Sequence, residues 1–314
     1  MGLLDGKVAI ITGAGHGVGR GHALDFAAAG AKVVVNDLGG TTTGDGSDAT
    51  VAEQVAQLIK ERGGEAIANH EDVSDFEGAK RMIDQAVSTF GGLDTLVLNA
   101  GILRDKMIFN MTEAEWDSVI KVHLKGHFAP ARHAAAYWRD KSKEIDGPVN
   151  ASIVTTSSSV GLFGNVGQTN YAAAKGGIAI FTIAFAADME RYGVRANCIA
   201  PSGATRLIST IPGRDAPTPE PEEYTEFAPQ NPGNVAPTAV WLASDRARHV
   251  TGQVFMAGGT NVTIFNPWMA RATLGVPGGD RKWDPEELAT AMDTQVFGSR
   301  HFGLRGGLGS LRPM

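Results

Sequence analysis

The chain has 314 residues and carries 28 Lys and Arg against 34 Asp and Glu, a net charge of −6. That balance lacks the basic excess by which nucleic acid or an anionic membrane is held. A single cysteine, Cys198, excludes an internal disulfide and fits a reducing compartment. Hydrophobic residues at 43% leave apolar mass for one large core, and an excess of glycine, 40 residues with no collagen-like period, points to many tight backbone turns.

Residues 8–11, Val-Ala-Ile-Ile, predict a buried strand, and 17–30 an alanine-rich helix stopped at Gly30. Further strands are predicted at 32–37, 65–69, 93–98, 149–156, 194–199 and, more briefly, 254–256. Helices at 49–62, 74–90, 112–137 and 169–191 alternate with them; Ser74, with Glu77 three residues on, has capping-box spacing. Such alternation implies right-handed crossovers and a Rossmann-type α/β fold, a doubly wound and mostly parallel sheet. Two stretches break the rhythm. Residues 202–232 are rich in proline and acidic side chains and read as a lid loop, and 266–314 form a Gly- and Arg-rich extension with one helix beginning near Asp284. One domain over 1–265 followed by a C-terminal extension is the expected organisation. The longest apolar stretch, 176–187, falls short of the roughly 20 residues of a membrane span. The opening Met1-Gly2-Leu3-Leu4-Asp5-Gly6-Lys7 lacks the basic start of a signal peptide, so a cytoplasmic location is expected.

Directly after the first strand stands Thr12-Gly13-Ala14-Gly15-His16-Gly17-Val18-Gly19. Glycines there permit a tight turn, and the helix N-terminus that follows offers free N–H groups and a positive dipole to a pyrophosphate. The strict G-x-G-x-x-G pattern fails because Arg20 stands where its third glycine belongs; Thr-Gly-x-x-x-Gly-x-Gly fits instead. The second strand ends at Asp37, whose carboxylate could accept hydrogen bonds from ribose hydroxyls and would repel a 2′-phosphate. His16 and the run Leu38-Gly39-Gly40 supply none of the basic residues an NADP pocket uses, so NAD is expected over NADP. In Tyr171-Ala-Ala-Ala-Lys175 the two polar side chains lie one helical turn apart. A phenol with an ordinary pKa near 10 transfers protons poorly at neutrality, and a nearby ammonium would lower it. Ser158 lies thirteen residues upstream, at a strand end where open α/β sheets bind ligands.

Together these motifs resemble the short-chain dehydrogenase/reductase family over residues 5–260. The resemblance implies that Gly13, Gly17 and Gly19 hold the pyrophosphate and Asp37 the ribose. Asp72 and Val73 would meet adenine, and Asn99, Ala100 and Gly101 would support the cofactor. His16, Val18, Leu38 and Pro201 fall in the same cofactor-binding set. Ser158 would orient substrate, Tyr171 act as general acid/base, and Lys175 hold the nicotinamide ribose while lowering the Tyr171 pKa, with no metal. The chain departs from the family where an asparagine usually completes the catalytic set: His123 stands there, read as a relay group or as packing and indirect support. Residues 35–40, 101–105 and 164–168 also resemble the (3R)-hydroxyacyl-CoA dehydrogenase units of multifunctional β-oxidation enzymes, and actinobacterial relatives acting on acyl-CoA or hydroxysteroids.

The expected reaction is therefore hydride transfer between a nicotinamide cofactor and a secondary alcohol or ketone. A 3-hydroxyacyl-CoA or steroid-like substrate would lie under Leu207, Ile208 and Ile211, with Arg104, Lys106 and Arg132 as candidates for coenzyme A phosphates. The competing readings are a 3-oxoacyl-carrier-protein reductase, which predicts NADP, and an inert NAD-binding scaffold. His123 and His127 have an i,i+4 spacing but lack the glutamate of a zinc motif. The apolar face from Ile178 to Phe185, read with the resemblance, implies a homodimer or homotetramer.

Overall fold

In the computed structural model, residues 2–204, 219–266, 270, 272–278 and 281–297 are described. Leu207, Ile208 and Ile211 lie outside them. Eight strands form one sheet: β1 (Val8–Thr12), β2 (Lys32–Asn36), β3 (Glu65–Asn69), β4 (Thr95–Leu98), β5 (Ala151–Thr156), β6 (Val194–Pro201), β7 (Val254–Gly258) and β8 (Asn261–Phe265). Their order is β3-β2-β1-β4-β5-β6-β7-β8. All pair in parallel except β7 with β8. The chain divides into two compact units, Met1–Phe265 and Asn266–Met314.

The strands are buried on both faces, so they read as continuous apolar runs whose side chains alternate between two cores. Ala9, Ile11, Val33 and Val35 enter one cluster, with residues of α1 (Gly17–Ala28), α2 (Thr50–Glu61) and α8 (Ala236–Ala243). Val8, Ile10, Val34 and Leu96 enter the other, against α3 (Phe76–Phe90), α5 (Gly126–Glu144) and α7 (Thr169–Met189). Trp138 anchors that second core: it is 1% exposed, and its indole Nε1 donates to the Leu93 carbonyl at 2.7 Å.

The structure shifts several predicted elements. Asp75, not Ser74, caps α3 by accepting from Gly78 N, because the Asp72 carboxylate already takes both the Ser74 N–H and its hydroxyl. The helix expected over 112–137 is interrupted: α4 (Glu113–Ile120) passes through a π-helical segment, Lys121–Lys125, into α5, which runs on to Glu144. β5 starts two residues late because Asn150 adopts φ 52°, outside the strand region. Strand β8 was not expected. It follows a two-residue turn and exposes Val262 and Ile264 on the sheet edge. The predicted helix near Asp284 is α9 (Pro285–Ala291), capped by that aspartate. By length and composition the helical stretch Thr169–Tyr192 could cross a bilayer. In this fold it packs along β5, with Asn170, Lys175 and Thr182 buried.

Replacing Trp138 with alanine removes the largest fully buried side chain and strands the Leu93 carbonyl. Urea denaturation should show a loss of about 3–5 kcal/mol in unfolding free energy; a loss under about 1 kcal/mol would show that the second core closes without it.

Candidate active site

The order of strands reverses between β1 and β4, and open α/β sheets bind ligands at the carboxyl ends beside such a switch. The glycine turn leaves β1 at that point. A Cβ on Gly19 would collide with the Gly13 carbonyl, so only glycine lets α1 start so close to the strand. Asn99, just past β4, braces the turn: its Nδ2 donates to the carbonyls of Thr12 (3.0 Å) and Gly13 (3.1 Å). Thr12 Oγ1 in return accepts from the N–H groups of Asn99 and Ala100. Asn99 and Ala100 thus shape the turn from behind.

Asp37 follows β2 by one residue and is 7% exposed. Its Oδ2 accepts from Gly15 N at 2.8 Å and its Oδ1 from Gly39 N at 2.7 Å, which fixes the carboxylate while leaving lone pairs for ribose hydroxyls. Leu38 beside it is 39% exposed. Asp37 N–H donates to Asn69 O, tying this corner to the end of β3; beyond that end Val73 is buried and Asp72 holds Ser74. Pro201 closes β6. Glycine turn, helix N-terminus and fixed carboxylate suit the diphosphate and sugar of a dinucleotide.

The proton-transfer group lies at the end of β5. Ser158 caps α6 (Ser159–Phe163), accepting from Val160 N at 3.2 Å, and its hydroxyl also hydrogen-bonds the Tyr171 phenol. Tyr171 and Lys175 share one face of α7, with the Lys175 Nζ 5.7 Å from the centre of the Tyr171 ring. Lys175 is 2% exposed and donates to the Thr156 carbonyl at 2.6 Å, while Ser157 Oγ donates to the Lys175 carbonyl at 2.7 Å. Burial governs both groups: it pushes Tyr171 up to about 12, against the Ser158 bond, and Lys175 down to about 7. The lowering of the phenol expected from Lys175, with help from a positive nicotinamide, is not seen in the bare protein, where burial dominates.

His123 sits in the π-helical segment, 1% exposed, its ring 5.1 Å from that of Tyr171 and nearly perpendicular to it. Its Nε2 lies 2.7 Å from the Ile102 carbonyl and 3.1 Å from Ile102 N. The shorter contact assigns the proton to Nε2 and leaves Nδ1 buried without a partner among the described residues. A Cβ on Gly101 would strike this ring, so the glycine after β4 makes room for the imidazole. Burial, then Lys175, holds His123 well below the ordinary histidine range, so it stays neutral at physiological pH and packs and orients rather than carrying a proton as imidazolium.

Two residues of this region were not expected. His127, read only as part of a failed zinc spacing, donates from Nδ1 to the His123 carbonyl at 2.7 Å and accepts from Thr156 N at 3.4 Å, so it holds the residue whose carbonyl meets Lys175. Glu220 places one carboxylate oxygen 2.5 Å from His16 Nδ1 and the other 2.7 Å from Gly17 N. Of the cations assigned to phosphates, Arg104 is paired with Asp45, and Arg132 lies over Phe76 in a groove of α3 and α5 with Lys80 and Asp84. Lys106 N–H donates to Gly167 O at 2.8 Å, and Met107, Ile108, Phe109 and Val166 are exposed.

A family model described as enoyl-(acyl carrier protein) reductase matches residues 13–260. The crystal structure of a short chain dehydrogenase from Mycobacterium avium aligns with a TM-score of 0.80 at 48% identity, covering 93% of this chain and 94% of that one. The chain belongs to the short-chain dehydrogenase/reductase family. Its relatives include hydroxyacyl-CoA dehydrogenase ChsB1 of Mycobacterium tuberculosis, 43% identical over 92% of this chain and 88% of that protein. Peroxisomal multifunctional enzyme type 2 of Mus musculus is 37% identical over 81% of this chain, which spans only 32% of that longer protein. This short-chain dehydrogenase is thus an NAD(P)-dependent oxidoreductase.

Lys175 accepts a proton in the unfolded chain at its ordinary value of 10.5 but in the fold only near 7. Between those values the unfolded state binds the extra proton, so this group's contribution makes stability rise with pH; below 7 the cost of burying the ammonium is present in full. Lys175→Met should abolish turnover yet raise the melting temperature by several degrees at pH 6, with the gain shrinking toward pH 10. Calorimetry across that range checks this, and an equal gain at both ends would refute the assigned shift.

Proposed function

We propose that this short-chain dehydrogenase oxidises the secondary alcohol of a 3-hydroxyacyl thioester of coenzyme A, with NAD as hydride acceptor. One observation carries the reading: Ser158, Tyr171 and Lys175 converge at the end of β5 beside a glycine turn whose sugar corner is held by a buried aspartate. The hydroxyacyl-CoA dehydrogenase and the peroxisomal multifunctional enzyme among its relatives support the substrate class. So do the exposed apolar side chains Phe109 (76%) and Val166 (79%), which could meet an acyl or steroid-like body.

The bound dinucleotide supplies the hydride acceptor and, when oxidised, a positive ring that favours the phenolate. Ser158 Oγ–H donates to the substrate oxygen and holds it against Tyr171 Oη, which takes the hydroxyl proton as the C–H bond breaks. Lys175, held by the Thr156 carbonyl, sets the charge balance around that phenol. His123 backs the Tyr171 ring edge-on and keeps it from rotating away.

Preference for NAD rests on charge. Asp37 would face a 2′-phosphate as a fixed anion, and Arg20, the guanidinium of the turn, is already bonded to Glu222 and to the Gly15 carbonyl. The half-exposed apolar Ile180 on α7 supports a homodimer or homotetramer, and a cytoplasmic location completes the reading.

NADH formation from a 3-hydroxyacyl-CoA, followed at 340 nm, tests the proposal. Tyr171→Phe should lose at least about a thousandfold in kcat, and NAD should exceed NADP at least about tenfold in kcat/KM. Full activity in the Tyr171 variant would end the assignment. A preference for NADP would favour the carrier-protein reductase reading instead.

A further inference from the structure

The dinucleotide turn is not bare: a distant segment already sits on it. Glu220 bonds the first N–H of α1, that of Gly17, at 2.7 Å, and reaches His16 Nδ1 at 2.5 Å. Two residues on, Glu222 Oε1 accepts from Arg20 Nε at 2.8 Å. Asn231 Nδ2 donates to the Pro221 carbonyl at 3.0 Å, and the backbone of Gly233 packs on Gly21. Residues 220–233 thus form a strap fastened to α1 at its ends by two carboxylates and a glycine contact.

An anion at the first N–H of a helix satisfies an otherwise orphaned donor and complements the helix dipole. This is also the position and the chemistry that a dinucleotide diphosphate requires. Two anions cannot share that N–H without mutual repulsion in a partly buried setting. Burial alone would raise the Glu220 carboxyl, but His16, the Gly17 N–H and Arg20 together hold it below the usual range, so it remains charged.

We propose that Glu220 is an internal competitor for the diphosphate at the α1 N-terminus, so that dinucleotide binding must lift the 220–223 end of the strap off the turn. The proposal rests on the dinucleotide reading of this turn and adds regulation to it. Loading of the cofactor is thereby coupled to the position of a segment that lies over 200 residues away in sequence.

Glu220→Ala and Glu220→Gln, compared with the wild-type chain by calorimetric titration at fixed low ionic strength, test it with NAD, ADP and adenosine as probes. Both variants should bind NAD and ADP about tenfold more tightly, and adenosine, which lacks the diphosphate, with unchanged affinity. Affinity for ADP that is unchanged or weaker in both variants, with wild type still binding, overturns the competition while the dinucleotide reading stands. Failure of wild type and variants alike to bind NAD overturns both. Amide hydrogen exchange supplies a second measurement in the wild-type chain. Exchange at residues 219–224 should quicken on adding ADP, whereas slower exchange there would mean that the strap closes on the ligand, contrary to the proposal.

Discussion

Burying the Lys175 ammonium is the constraint around which this site is organised. A cation 2% exposed must find a strong acceptor, and the Thr156 carbonyl at the end of β5 is that acceptor. Thr156 is in turn held through its own N–H by His127, and Ser157 ties the Lys175 carbonyl back to the same strand end. Helix α7 is thus locked to β5 at one point in its register, and Tyr171, one turn earlier, inherits its position from that lock. The same dry setting opposes the ionised state of both groups, raising the phenol and lowering the ammonium. A positive ring bound beside the phenol would favour its ionised form.

The π-helical segment serves the same lock. An α-helix continued through residues 121–125 would turn each later residue by about a tenth to a third of a revolution relative to its observed direction. His123 would then leave the Ile102 backbone and the edge of Tyr171, and His127 would leave Thr156. One extra residue in the turn satisfies both imidazoles at once: the first meets the β4 end and the second the β5 end. Gly101 completes the fit, since any side chain there would occupy the space of the His123 ring.

Much of this was legible in the sequence, for physical reasons that also explain what was not. Strands covered on both faces have no polar side, so Val8–Thr12 or Thr95–Leu98 announce themselves as short apolar runs between turn residues. The spacing of Tyr171 and Lys175 carries its own geometry, because four residues along a helix return to one face. Edge strand β8 exposes Val262 and Ile264 and follows β7 through a two-residue turn, so its period of two was too short to stand out. The π segment has the polar and apolar pattern of any helix, and its extra residue shows only in coordinates. The reversed pKa shifts were hidden as well, for spacing says that a lysine is near a phenol and nothing about how dry the space is. Glu220 was illegible in the strongest sense. A carboxylate in a proline-rich stretch has no periodic signal, and its partners lie at the other end of the fold.

The two acids on the glycine turn show how a binding site can be stable before its ligand arrives. Buried or half-buried N–H groups need acceptors, and the Gly15 and Gly17 amides would lack them in a bare turn. Asp37 serves Gly15 from a neighbouring strand end and is pinned a second time by Gly39, so it cannot depart without breaking its own corner; it is a fixed part of the pocket. Glu220 serves Gly17 from a separate segment, which is tied to α1 again by Glu222 on Arg20 and within itself by Asn231 on Pro221. One acid at the turn is thus local and pinned twice, and the other reaches it from a distant part of the chain.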